Sequence, residues 1–91
     1  MTTVAVRHRV TDYGKWRAIF DEHGAARAAH GEKSTTVLRD AADPNEILVI
    51  ISWPAMANAQ AFLDDPSLKE AMSQAGLAGP PRVEVYEEAG A

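Results

Sequence analysis

Cysteine is absent from the 91 residues. That removes disulfides, thiolate nucleophiles and sulfur-ligated metal sites together. A basic excess is absent too. Nine Lys and Arg against thirteen Asp and Glu leave a formal net charge of −4. Such a balance lacks the positive field that phosphate backbones require, so no nucleic-acid partner is expected. No apolar run approaches the ~20 residues of a membrane helix. The start, Met1 to Arg9, carries neither a long apolar region nor a cleavage signal. The expectation is a cytoplasmic protein with no membrane partner. The glycines form no phosphate-binding loop, and Ser52 lacks the Gly-x-Ser-x-Gly elbow of a serine nucleophile.

What is present suits a packed globule. Hydrophobic residues make up 46% and charged residues 24%, which argues against disorder. The length predicts a single domain over residues 1–91. A chain of this size buries only roughly 60–65% of its unfolded surface, so self-association would help it.

The stretch Glu46-Ile-Leu-Val-Ile-Ile-Ser-Trp-Pro54 carries the most information. Ile47 to Ile51 are apolar at every position, so neither face of that strand tolerates water. A half-exposed strand would alternate. Two helical segments can cover one face of a small sheet. The other face then needs a second copy, and a homodimer is expected.

Thr2 to Arg9 alternates, with Val4, Val6 and His8 on one side and Ala5, Arg7 and Arg9 on the other. Thr11-Asp12 supplies an N-cap. From Asp12 to about Ala29 the period becomes helical. Trp16, Ile19, Phe20, His23, Ala26, Arg27 and His30 form one stripe. Gly24 weakens this helix without needing to end it, and Gly31 suits the position just past its end. Ser34 to Asp40 reads as a strand, Asp43-Pro44-Asn45 as a turn, and the apolar strand completes a hairpin. Ala55 to Asp64 is helical, and Pro66 opens a further short helix to about Ala75. Arg82 to Glu87 is a last strand of strict alternation. The order β-α-β-β-α-β is that of a ferredoxin-like α+β fold. Right-handed crossovers give an antiparallel sheet in the order 4-1-3-2, with the doubly apolar strand inside.

Two segments, Ile51-Ser-Trp-Pro-Ala-Met-Ala-Asn-Ala-Gln-Ala-Phe-Leu-Asp-Asp-Pro-Ser-Leu and Val-Thr-Asp-Tyr-Gly-Lys-Trp, resemble the dimeric α+β barrel superfamily. That group includes antibiotic-biosynthesis-monooxygenase-like proteins, small polyketide cyclases and haem-degrading relatives. The resemblance spans nearly the whole chain. It implies two sheets packed face to face, and a pocket between each sheet and its own helices. Val4, Val6 and His8 would face the helices, and Arg7 and Arg9 the partner sheet or its rim. Haem-degrading members carry an Asn, a Trp and a His where this chain has Val6, Phe62 and Ala71. Ala71 cannot ligate iron, so haem degradation is not expected.

His8 and His23 are the candidate catalytic residues, each able to move a proton near neutral pH. Val6, Trp16, Phe20 and Phe62 are the candidate substrate-binding residues, an apolar wall for an aromatic or polyketide-type ligand. The alternative for these aromatics is plain core. The alternative for His23 is a partly exposed ring packed on the core, and for His8 a wet strand end. No metal site is expected. His23 and His30 stand about 10.5 Å apart along a helix at 1.5 Å per residue, too far to share one ion. Arg7, Arg9 and Arg82 could gather at one end, with pairing to Glu84 as the ordinary outcome. Trp53 is expected under a helix or at the dimer seam, and Tyr86 on a barrel wall or interface. The functional expectation is a cofactor-independent monooxygenase or cyclase. Its alternative is a non-catalytic ligand-binding or structural dimer.

Overall fold

The computed structural model describes residues 1–90. Alternation at the start of the chain produces strand β1 (Thr2–Arg9), whose even-numbered side chains are buried. Asp12 then caps helix α1 (Tyr13–Glu22) by accepting the Lys15 amide at 3.2 Å. The stripe of apolar residues continues through His23, but the helix does not. His23 adopts φ −79° and ψ 0°, and a separate helix α2 (Gly24–Ala29) begins after it. One helix from Asp12 to Ala29 is therefore corrected to two. Gly24, a weak helix former, stands at the break, and Arg27 Nη1 donates at 2.9 Å to the Phe20 carbonyl, an acceptor that an unbroken helix would pair with the Gly24 amide. Gly31 leaves α2 at φ 91°, in the left-handed region that glycine enters without strain.

The hairpin consists of β2 (Ser34–Arg39) and β3 (Glu46–Trp53). Asp40 lies outside β2, because its carboxylate turns the chain by accepting the amides of Ala42 at 2.8 Å and Asp43 at 3.1 Å. Helix α3 (Met56–Leu63) starts one residue later than Ala55. Helix α4 (Pro66–Gln74) opens on Pro66 and is capped by Asp65. The chain then returns beside the end of β1. Val10 bridges to Leu77, and the Thr11 amide donates to the Gly76 carbonyl at 3.0 Å. Strand β4 (Arg82–Glu87) closes the sheet.

The sheet is antiparallel in the order β2-β3-β1-β4, the expected order read from the other edge. Its inner face packs Val4, Val6, Ile47, Val49, Ile51 and Trp53 against Trp16, Ala59 and Phe62. Trp53 lies wholly buried under α3, its ring 4.9 Å from that of Phe62. It pairs with Thr2, at the opposite end of β1 from His8.

The outer face is different. Leu48 and Ile50 stand there between Ala5 on β1 and Leu38 on β2, and no helix crosses them. Leu38 is 45% exposed and Tyr86, on the same face of β4, 52% exposed. The arginines on this face do not collect into one cluster. Arg7 pairs with Glu46 at 3.1 Å, Arg9 with Asp43, and Arg82 with Glu84 at 3.4 Å.

The helix layer also stops short of β4. Val83 and Val85 pair with Val6 and Val4 and so point to the helix side, yet both are exposed. The sheet is therefore covered on its inner face only from β1 across β3. That gap sets where the interior opens to solvent.

Candidate functional site

A cavity of about 320 Å³ lies between the inner face of the sheet and the helices. Val6, Val49 and Ile51 form its floor, and Trp16, Ile19 and Phe20 of α1 form one wall. Phe62 and Leu63 of α3 with Leu68 and Met72 of α4 form another. Val83 lines it at the uncovered edge and is 44% exposed, so the mouth opens at β4. The lining is apolar apart from His8, His23 and Arg27. Cavities of this kind suit a flat apolar molecule held by few polar groups. The six residues singled out in the sequence, His8, His23, Val6, Trp16, Phe20 and Phe62, all line this one cavity.

His8 enters from the end of β1, where the strand's alternation turns it inward. It is not a wet strand end, as its position in the strand suggested. Only 5% of its surface is exposed, because Trp16 covers it and the Val10–Leu77 bridge closes the chain beyond it. Neither ring nitrogen has a hydrogen-bond partner among the described residues. Burial lowers its pKa below the usual 6.5, and the nearby Glu46 carboxylate opposes this only in part. His8 is thus a neutral imidazole with one donor and one acceptor unused.

His23 sits at the break between α1 and α2, half-buried, its ring 6.0 Å from that of Phe62 and tilted by 48°. Its Nε2 lies 2.9 Å from the Ser67 hydroxyl on the first turn of α4. Burial and then the Arg27 charge lower its pKa, while Asp65 raises it and His30 lowers it. Asp65 accepts the Ser67 amide at 2.8 Å and bonds His30 Nε2 at 2.8 Å. These contacts hold the Asp65 carboxyl at about 2, with the His30 ring contributing most and the Ser67 amide and hydroxyl next. His30 itself lies outside the apolar cavity, beside Gly31 and Asn58.

Sequence reasoning placed Arg27 on the apolar stripe without giving it a role. Its side chain is 8% exposed, and the guanidinium lies 3.8 Å from the centre of the Phe20 ring. Nε donates to Glu32 at 2.9 Å. Arg27 therefore props Phe20 against the cavity and brings a compensated charge to its wall. An arginine on a stripe of apolar residues and histidines, five residues before a glutamate, was the available signal. Ser67 and Asp65 were also passed over, since in the sequence they only flank the Pro66 that opens the helix.

Trp16 and Phe20 stack at 4.9 Å with ring planes 19° apart, which builds a flat face. Val6, Phe62 and Ala71, the positions compared with haem-degrading proteins, all line the cavity, and none of these side chains can ligate iron.

The same fold occurs in solved structures. SnoaB, a cofactor-independent oxygenase from Streptomyces nogalater, superposes with a TM-score of 0.83 at 17% identity, covering 99% of this chain and 94% of that one. A crystal structure of an antibiotic biosynthesis monooxygenase gives 0.78 at 13% identity, over 99% and 100% of the two chains. A protein of unknown function from Nitrosomonas europaea gives 0.73 at 22% identity, over 99% and 90%. At such identities the likeness establishes the fold alone, a ferredoxin-like α+β fold. No curated protein matches the sequence. The family model described as domain of unknown function DUF1330 matches residues 1–87, and the chain belongs to that family.

Proposed function

We propose that the protein is a homodimeric, cytoplasmic, cofactor-independent monooxygenase or cyclase acting on an aromatic or polyketide-type molecule bound in the cavity. The observation that carries this is His8, an imidazole with both nitrogens unpartnered at the wall of an apolar cavity. A buried polar group without a partner costs about 1–3 kcal/mol. A ligand oxygen reaching His8 would recover that cost and orient an otherwise apolar molecule.

His23 is the proton-moving group, since it is half-buried and its lowered pKa keeps it neutral at physiological pH. His8 holds the substrate oxygen. Trp16, Phe20, Phe62 and Val6 hold the ring system and exclude water. Oxygenation without a cofactor needs a substrate that can itself reduce oxygen. For a CH₂ group activated by neighbouring carbonyl and aryl groups, His23 takes one proton and leaves a stabilised carbanion. The carbanion passes an electron to O₂, the two radicals join as a peroxide anion, and this takes the proton back from His23 to become a hydroperoxide. Loss of water then leaves a ketone, so CH₂ and O₂ become C=O and H₂O with no further reductant. A cyclase would use the same proton abstraction, the carbanion attacking a carbonyl of the same chain instead.

The test is a panel of polycyclic phenols and their keto tautomers under air, with no added metal or cofactor. The expected result is consumption of one O₂ per substrate, or ring closure by mass spectrometry, and its loss in His23→Ala. Saturable binding without turnover across the panel would leave a ligand-binding dimer and overturn the enzymatic reading. Absence of both would overturn the pocket.

A further inference from the structure

We propose that the ligand is amphiphilic: a ring inside the cavity with its oxygen at His8, and an alkyl chain that leaves through the mouth and lies along Val83 and Val85 of β4.

The inner face of β4 carries three side chains in turn. Val83 pairs with Val6, Val85 with Val4, and Glu87 with Thr2. Val83 lines the cavity, and Val85 stands one step beyond it, about 7 Å along the strand. Their partners Val6 and Val4 are buried, whereas Val83 is 44% and Val85 37% exposed. The apolar floor therefore continues outward from Val6 through Val83 to Val85 without a polar break. Pro81, which leads the chain into β4, also lines the cavity, so the rim beside Val83 is apolar. The track then stops. Glu87 accepts the Thr2 hydroxyl at its far end, and a carboxylate there turns an apolar chain away.

The order of residues gives the ligand a direction. His8, Val6 and Val4 follow one another on the inner face of β1. An oxygen held at His8 sets the ring over Val6, and whatever extends from the ring runs toward Val83 and Val85. The track suits a chain and not a protein. A stable protein interface takes about 800 Å² from each partner, and two part-exposed valines beside a carboxylate supply a small part of that. They also lie on the opposite face of β4 from Glu84 and Tyr86, so a dimer formed through the outer face leaves them uncovered. An extended alkyl chain is narrow, and it gains with every methylene taken out of water.

The proposal rests on the cavity holding a ring but not on turnover, so its test is binding alone. Calorimetric titration of the whole protein with 4-alkylphenols, from methyl to decyl, reads it. The dissociation constant should fall about fourfold per methylene inside the cavity and about twofold per methylene along the part-exposed track, then level off as the chain reaches Glu87. Val85 lies outside the cavity, so Val85→Glu should weaken 4-octylphenol roughly tenfold and leave 4-methylphenol unchanged. Val85→Thr keeps the side-chain shape and the strand preference, and should weaken the octyl compound by about twofold. An affinity that does not rise with chain length would overturn the proposal and keep the pocket. So would a Val85→Glu protein that loses short and long phenols equally, or one that changes sedimentation mass while binding 4-octylphenol as wild type does, since a second copy would then be what covers the valines. Failure of every phenol to bind would overturn the pocket, and the proposal with it.

Discussion

His8 and Trp16 meet in the wall of the cavity, ring centroids 5.4 Å apart and planes tilted by 48°. The indole shuts water away from an imidazole that has no other partner. This contact costs stability in the empty protein. It leaves a buried polar group without a partner among the described residues.

His8→Leu should therefore stabilise the ligand-free fold by about 1 kcal/mol, since an apolar residue of similar size removes an unpaired polar group. Urea unfolding measures this. The pH dependence has a defined sign. The pKa of His8 is lower folded than its ordinary 6.5, so the unfolded chain binds the extra proton. Stability should be full above pH 6.5 and fall as pH drops from there through the folded pKa. In His8→Leu part of that slope should vanish, the remainder belonging to the similarly lowered His23. A variant less stable than wild type by 1 kcal/mol or more would mean that His8 is satisfied in the ligand-free protein.

Arg27→Lys should be more harmful than its chemistry suggests. A lysine cannot bond Glu32 and the Phe20 carbonyl at once while lying flat on the Phe20 ring. A loss of roughly 1–2 kcal/mol is expected, and Phe20 should loosen, since one wall of the cavity rests on this guanidinium. Arg27→Met with Glu32→Gln together should cost less than Arg27→Met alone, because no half-buried carboxylate is left uncompensated. Additive losses in this cycle would show that the pair is not coupled.

The open outer face of the sheet predicts a dimer. Leu38, Leu48 and Ile50 form an apolar surface with no helix over it. Sedimentation at micromolar concentration should give about twice the 9.8 kDa chain mass. Ile50→Glu should yield monomers or reduced stability, since a charge would face the centre of that surface. A wild-type protein that is monomeric at these concentrations and stably folded would reject the dimer.

The fold was legible because each local pattern agreed with the global one. Ile47 to Ile51 could only be an inside strand, and Val4, Val6 and His8 could only share its inner face. The break at His23 was not legible. The apolar stripe runs straight through it, and the bond from the Arg27 side chain back to the Phe20 carbonyl that accompanies the break has no periodic signature. The burial of His8 was hidden for a related reason. Its cover comes from Trp16, and the closing bridge joins Val10 to Leu77, far along the sequence. The aromatic wall could be named from spacing, but the Ser67–Asp65–His30 chain needed the relative placement of α2 and α4, which no spacing encodes.

His23 gives the sharpest separation of a working site from ordinary packing. Its ring is half-buried, and its one side-chain hydrogen bond, to Ser67, is partly exposed. His23→Ala removes little apolar surface, and water can reach the Ser67 hydroxyl left behind. The fold should lose less than about 1 kcal/mol, and the oligomeric state should not change. Proton titration by NMR should place His23 below 6.5, because burial and the Arg27 charge outweigh the Asp65 carboxylate. Turnover should fall as pH drops through that lowered pKa, since a protonated ring cannot take a proton. In wild type the fall should follow the His23 titration seen by NMR in the bound state. If His23→Ala instead unfolds at a cost of about 2 kcal/mol or more, the ring is part of the core. If it binds and converts the same molecules as wild type at every pH, His23 has no part in the chemistry, and His8 becomes the remaining base in the cavity.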